Sequence, residues 1–187
     1  MKKILIGMIA VLFVAASFIA LSSVADAADY TGAKKCKACH MKQFKSWQKT
    51  TMADSFESLK PGVKADAKKK AGLDADKDYT HDAGCLKCHT TGYGKPGGFT
   101  SIEDTPKLAG VQCESCHGPG SEYRGLMKKN KKYKIAEAKA QGLVVPSEDE
   151  AGCMECHGGD NPFKDKGFNF KESLEKAHEH FALKNEH

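Results

Sequence analysis

The stretch Cys113-Glu114-Ser115-Cys116-His117-Gly118-Pro119-Gly120 holds two cysteines three positions apart, with a histidine directly after the second. The same spacing recurs at Cys36-Lys37-Ala38-Cys39-His40, Cys85-Leu86-Lys87-Cys88-His89 and Cys153-Met154-Glu155-Cys156-His157. These four copies use all eight cysteines of the chain. Disulfides and zinc sites also use paired cysteines, but neither requires histidine after every pair. With eight histidines in 187 residues, four such coincidences have odds on the order of one in a few hundred thousand. C-x-x-C-H is the attachment signature of c-type haem. The two thiols form thioethers with the porphyrin, and His40, His89, His117 and His157 become the proximal iron ligands. The sequence thus predicts four covalently bound haem c groups.

The rest of the chain fits around that reading. Lys2 and Lys3 precede an apolar run from Ile4 to Leu21, and Ala25-Asp26-Ala27 offers a small-residue cleavage site. Residues 1–27 therefore read as a secretory signal peptide, with one domain over residues 28–187. The expected location is the periplasm or the cell exterior, with no stable membrane insertion once the signal is removed. After Ala28 long branched and aromatic side chains are sparse and lysine is abundant. Such a chain struggles to offset its conformational entropy by burial alone. The expected fold is mostly α with long loops and little or no sheet, a compact multihaem arrangement whose haems form the core. A globule of this length has a radius of gyration of about 15 Å, so four porphyrins within it lie close together.

The formal charge is +5. Without Lys2, Lys3 and Asp26 it is 27 basic against 23 acidic residues, or +4. Propionates bring the net to about zero with four ferric haems and to about −4 with four ferrous ones. The basic total is then no argument for nucleic acid. Lys68-Lys69-Lys70 and the lysines between Lys128 and Lys134 read either as a docking face for an acidic redox partner or as solvated helix faces.

The apolar pattern predicts a helix over 41–59, stopped by Pro61-Gly62, and another over 63–71. Gly92 to Gly98 reads as a turn near the second haem, and Gly118-Pro119-Gly120 as a sharp exit from the third. Ser147 and Glu150 form a capping box before the fourth motif, and a last helix runs over 170–184.

Four irons need up to four more axial ligands. The other histidines after Ala27 are His81, His178, His180 and His187. On the last helix Phe170, Leu174, Ala177 and Phe181 share a face; His178 lies about 50° from its centre and His180 about 110° away. His178 is the better distal ligand, against the alternative of a buried, hydrogen-bonded histidine. His81 sits too close to the second motif to reach its far side, and His187 is terminal. Methionine is the other usual sixth ligand. Met41 and Met154 are poorly placed, which leaves Met52 and Met127, each either a ligand or apolar filler.

Ser58-Leu59-Lys60-Pro61, Lys77-Asp78-Tyr79-Thr80, Gly110-Val111, the stretch 113–120 and Tyr123-Arg124-Gly125 together resemble the tetrahaem cytochrome c-554 family over nearly all of the chain after Ala27. That family's electron carrier is paired with hydroxylamine oxidoreductase. The resemblance implies three six-coordinate haems and one five-coordinate haem on the second motif, with Pro162-Phe163 over its open face. It also implies a distal role for His178. It aligns the family's two other distal histidines with Met52, for the fourth haem, and Met127, for the first. Both are methionine here, which favours ligation over filler and implies two raised potentials. The shorter C-terminus and the altered gap between third and fourth motifs leave the partner open.

The leading functional reading is an exported tetrahaem electron carrier between a redox-protein donor and acceptor. One alternative is an enzyme acting on nitric oxide, nitrite or hydroxylamine at an open second haem, although Asn161-Pro162-Phe163 offers little proton-donating chemistry. The other is a subunit of an extracellular cytochrome filament or conduit, for which oligomerisation is required.

Overall fold

Helix formation in this chain is short and local, and each helix delivers a motif or braces one. The computed structural model describes residues 28–146, 150–158, 161–163 and 168–179. Helix α1 (Ala33–Cys36) ends on the first motif, α4 (Ala83–His89) and α5 (Cys113–His117) carry the second and third, and α8 (Ala151–His157) carries the fourth. Between them lie α2 (Met41–Trp47), α3 (Ala65–Lys70), α6 (Ser121–Lys129) and α7 (Ile135–Lys139), and α9 (Phe170–Ala177) follows the fourth motif. Among the described residues the one trace of sheet is an isolated antiparallel bridge between Thr90 and Ala109.

Capping explains several of these starts. The Asp82 carboxylate accepts from the Gly84 N–H at 2.9 Å, opening α4 immediately before Cys85. Asn169 does the same for α9 through the Glu172 N–H. After α5 the chain leaves through Gly118, whose φ is +77°; a β-carbon there would meet the Gly142 carbonyl at 2.6 Å. The sharp exit read from Gly118-Pro119-Gly120 is therefore present.

Three helical expectations are corrected. The helix from Met41 ends at Trp47. The chain from there to a 3-10 turn at Glu57–Leu59 runs through successive i to i+3 bonds, such as Thr50 N–H to Trp47 and Ser55 N–H to Met52. The Thr50 hydroxyl also bonds back to the Trp47 carbonyl at 2.7 Å, competing with helical pairing. Met52 therefore lies in this turn-rich segment and not on a helix. The second helix is trimmed to Ala65–Lys70. The last helix stops at Ala177, and His178 is its extended C-cap residue, so its place is set by the chain's exit and not by a helical face. Ser147, His180, Phe181 and His187 lie outside the described residues.

The polypeptide core is small and lopsided. Tyr30, Phe56, Leu59, Tyr79, Leu86, Phe99 and Leu108 form one buried cluster, with Leu73, Cys85, Tyr93, Ile102 and Ala109 packed on it. Cys85 and Leu86 place this cluster around the second motif. Helices α8 and α9 bury no residue at all. Protein alone therefore forms a core at the second motif but not at the fourth.

Candidate haem-binding site

The third motif is the hub. Glu114, between its cysteines, is 1% exposed. Burying a carboxylate is costly unless its oxygens are bonded. Here they accept the Thr31 N–H at 2.9 Å, the Thr31 hydroxyl at 3.1 Å, the Gly32 N–H at 2.6 Å and the Gly120 N–H at 2.7 Å. Next to it, the Gln112 side-chain oxygen accepts the Ala33 N–H, while its amide donates to the Lys107 and Ala109 carbonyls. The two residues flanking Cys113 thus bind the segment leading into the first motif. The Thr91 hydroxyl, just after the second motif, donates to the Gly110 carbonyl and meets the Ser115 hydroxyl at 3.1 Å.

These ties bring motifs together. No two of the eight cysteines are joined in a disulfide. Cys113, together with burial, pushes the Cys36 thiol up. Burial, then Cys153, raises the Cys116 thiol to about 11. Burial, then Cys88, raises Cys156 to about 12. Helix α1 packs against α5 and α4 against α8, so the first motif adjoins the third and the second adjoins the fourth, which differs from their order along the chain. Among the described residues no three or more His, Cys, Asp or Glu side chains gather around a point that could hold a bare metal ion.

The proximal histidines are oriented from behind. His89 Nδ1 donates to the Ser55 carbonyl at 2.7 Å, with the Ser58 hydroxyl 3.1 Å away. His117 Nδ1 donates to the Val144 carbonyl at 3.1 Å. A proton held on Nδ1 leaves the lone pair on Nε2, the tautomer an iron ligand needs. The structure places the His157 ring in a stack with Phe168, centroids 4.4 Å apart. Burial, then the charge of His178, holds His40 below the usual imidazole range.

His178 joins this group. Its ring centroid lies 6.3 Å from that of His117, and its Nδ1 donates to the Glu179 carbonyl at 3.1 Å. A metal–imidazole bond of about 2.0–2.1 Å puts the centroids of two imidazoles sharing one iron roughly 6.3–6.5 Å apart. The Glu179 N–H, donating to the Ser46 hydroxyl at 2.8 Å, fixes this end of the chain against α2. Met52 and Met127 are both half-buried. The Met52 carbonyl accepts the Val111 N–H at 3.1 Å, two residues before Cys113. Met127 lies on α6 one turn after Tyr123, whose phenol is raised mainly by burial and less by Glu114, Cys36 and Cys113. Pro162 and Phe163 are exposed, and His81 is exposed.

The exposed apolar surface suits haem. Among the described residues, the large apolar side chains left exposed are Met41, Val63, Val144, Met154 and Phe163. Met41 adjoins His40, Met154 lies inside the fourth motif, and the Val144 carbonyl holds His117. Exposed apolar surface is thus concentrated where porphyrins attach. The supporting residues Ser55, Ser58, Thr91, Gln112 and Glu114 were not singled out in the sequence. Ser58 and Glu114 fall in stretches that carry the resemblance, but nothing in their spacing signals their bonds.

Comparison with known proteins agrees. The family described as cytochrome c554 and c-prime matches residues 35–118. Cytochrome c-554 of Nitrosomonas europaea is 49% identical over 126 residues, which are 66% of this chain and 54% of that protein. The chain thus spans about half the length of this curated relative. The solved structure of reduced cytochrome c554 from Nitrosomonas europaea superposes with a TM-score of 0.71 at 37% identity, covering 85% of this chain and 89% of that one. The chain belongs to the cytochrome c554 family. It is accordingly a multihaem c-type cytochrome with a mostly helical fold and covalently bound haem. Among the described residues of this family member, no helix is long and apolar enough to cross a membrane.

Proposed function

We propose that this cytochrome c554 family member is a tetrahaem electron carrier, exported and cut after Ala27, that shuttles electrons between a redox-protein donor and acceptor outside the inner membrane. The observation that carries the reading is the packing of motif helices on one another, α1 against α5 and α4 against α8. It supports four attachment sites close together within a single domain over 28–187.

Each haem, when bound, supplies a reversible one-electron change at iron. The chain's own residues set where and how easily it occurs. The cysteines Cys36, Cys39, Cys85, Cys88, Cys113, Cys116, Cys153 and Cys156 hold the porphyrins, and His40, His89, His117 and His157 are the proximal ligands. The 6.3 Å separation supports His178 as the partner of His117 on the third iron. The position of Met127, one turn beyond Tyr123 on the same face of α6, supports it as sixth ligand at the first motif. The resemblance alone supports assigning Met52 to the fourth iron. It likewise supports Pro162-Phe163 as the cover of the second haem's open face. The bonds to Nδ1 of His89 and His117 make those ligands more electron-donating and favour ferric iron, whereas thioether ligation at the other sites raises potential.

Intact mass and a pyridine haemochrome assay on exported protein should give four haems and an N-terminus at Ala28. Fewer haems, or a retained leader, would contradict the reading. The oxidised protein should show a weak sulfur-to-iron charge-transfer band at the red edge. Its loss in a Met52→Ala/Met127→Ala variant is the expected result; its absence from the parent protein would remove both methionines from the ligand set.

A further inference from the structure

Arg124 has no role in the ligand scheme. It follows Tyr123 on α6, and its Nε is buried with no hydrogen-bond partner. None of the ion pairs found among the described residues includes it. Its charge is felt at two groups, drawing down the Cys36 thiol and the Tyr123 phenol against larger opposing effects. Glu114 acts on the same two groups with opposite sign. Yet the Glu114 oxygens are taken by the N–H groups of Thr31, Gly32 and Gly120 and by the Thr31 hydroxyl. A buried guanidinium nitrogen without an acceptor is destabilising, more so than an ordinary buried donor because it is charged. Arginine cannot relieve this by losing its proton.

The missing partner is an acceptor that the described residues do not provide beside the first motif. We propose that Arg124 binds a propionate carboxylate of the haem attached at Cys36 and Cys39. The planar fork of arginine matches a carboxylate, and propionates are the only acids this cofactor brings. The assignment rests on the haem-attachment reading above and adds to it a binding residue that also tunes potential. A fixed positive charge beside the porphyrin favours the reduced state, which carries one positive charge fewer. Arg124 therefore raises the potential of the first-motif haem, in the same direction as thioether ligation there.

Arg124→Gln and Arg124→Lys should both be prepared as holoproteins, with haem content counted first. In Arg124→Gln the reduction equilibrium of one centre should fall about tenfold, equivalent to 59 mV for a one-electron couple, while the other centres hold. Arg124→Lys should keep most of that potential. Its redox-difference infrared spectrum should nevertheless show a shifted carboxylate band, because the two-pronged contact is lost. Four haems with unchanged potentials and unchanged carboxylate bands in both variants would overturn the proposal and leave water as the partner of Arg124. Should Arg124→Gln lose haem on expression, the infrared spectrum of fully loaded Arg124→Lys decides alone. A parent protein with fewer than four haems would instead overturn the underlying reading.

Discussion

Glu114 shows how one residue can organise a multihaem chain. Its carboxylate collects three backbone N–H groups and a hydroxyl from two distant segments. Removing it orphans those donors in a buried place, and each unsatisfied donor costs about 1–3 kcal/mol. Glu114→Ala should destabilise the holoprotein by about 3 kcal/mol or more, and Glu114→Gln by roughly half as much, since one amide oxygen can still accept. Denaturant unfolding measures the loss, and hydrogen exchange should locate it at Thr31 and Gly32; protection unchanged there would contradict the role given to Glu114. Tyr30 gives a pH counterpart. Burial is the main cause that raises its phenol above the usual value of 10.0. A raised folded pKa means stability that is complete below pH about 10 and drains away as the pH climbs past it. Tyr123 is raised by burial in the same sense. The protein should therefore lose stability in alkali, and Tyr30→Phe should flatten that decline above pH about 10. An identical slope in the variant would show that other groups govern it.

At the scale of elements, the segment after Trp47 is the informative case. Hydrophobic spacing supports a helix to Leu59, yet helical pairing stops at Trp47. Two tertiary bonds hold the alternative: the Trp47 indole donates to the Val111 carbonyl at 2.9 Å, and the Met52 carbonyl receives the Val111 N–H. Trp47→Phe keeps a ring but frees the Val111 carbonyl. It should cost about 1–3 kcal/mol, measured by chemical denaturation; a neutral result would mean that local turn bonds alone fix the segment. The contrast tells what sequence can carry. The four C-x-x-C-H motifs are legible because covalent haem attachment demands a fixed local spacing. The end of α2, the C-cap position of His178 and the bond from Ser55 to His89 depend on segments dozens of residues apart. His178 was singled out through a helical face that the chain does not form there, although its approach to His117 suits a ligand. Spacing also gives no hint that the first motif adjoins the third and the second adjoins the fourth, because those contacts run through Gln112, Glu114 and the packing of α1 on α5 and α4 on α8.

For the whole molecule, the uneven core predicts uneven dependence on haem. The second motif sits in a cluster of seven buried apolar residues, whereas α8 and α9 bury none. The pair linking α8 to the loop after the second motif, Lys95 with Glu155 at 3.2 Å, is solvent-exposed and worth little. On the proposed ligand set, the fourth porphyrin and His178, with the bond from Glu179 to Ser46, hold the described residues beyond 146. A Cys153→Ala/Cys156→Ala variant should therefore keep residues 28–146 resistant to limited proteolysis while cleavage concentrates beyond 146. The corresponding change at Cys113 and Cys116 should expose the entire chain, because α5 is where Glu114 and Gln112 join the N-terminal segment to the rest. Mass mapping of the first cuts distinguishes the two patterns. If the C-terminal third stays protected without its haem, its helices are held by protein contacts, and the porphyrin there is cargo and not core. If both variants collapse alike, the cluster around the second motif is too small to stand by itself, and the four cofactors form one cooperative interior.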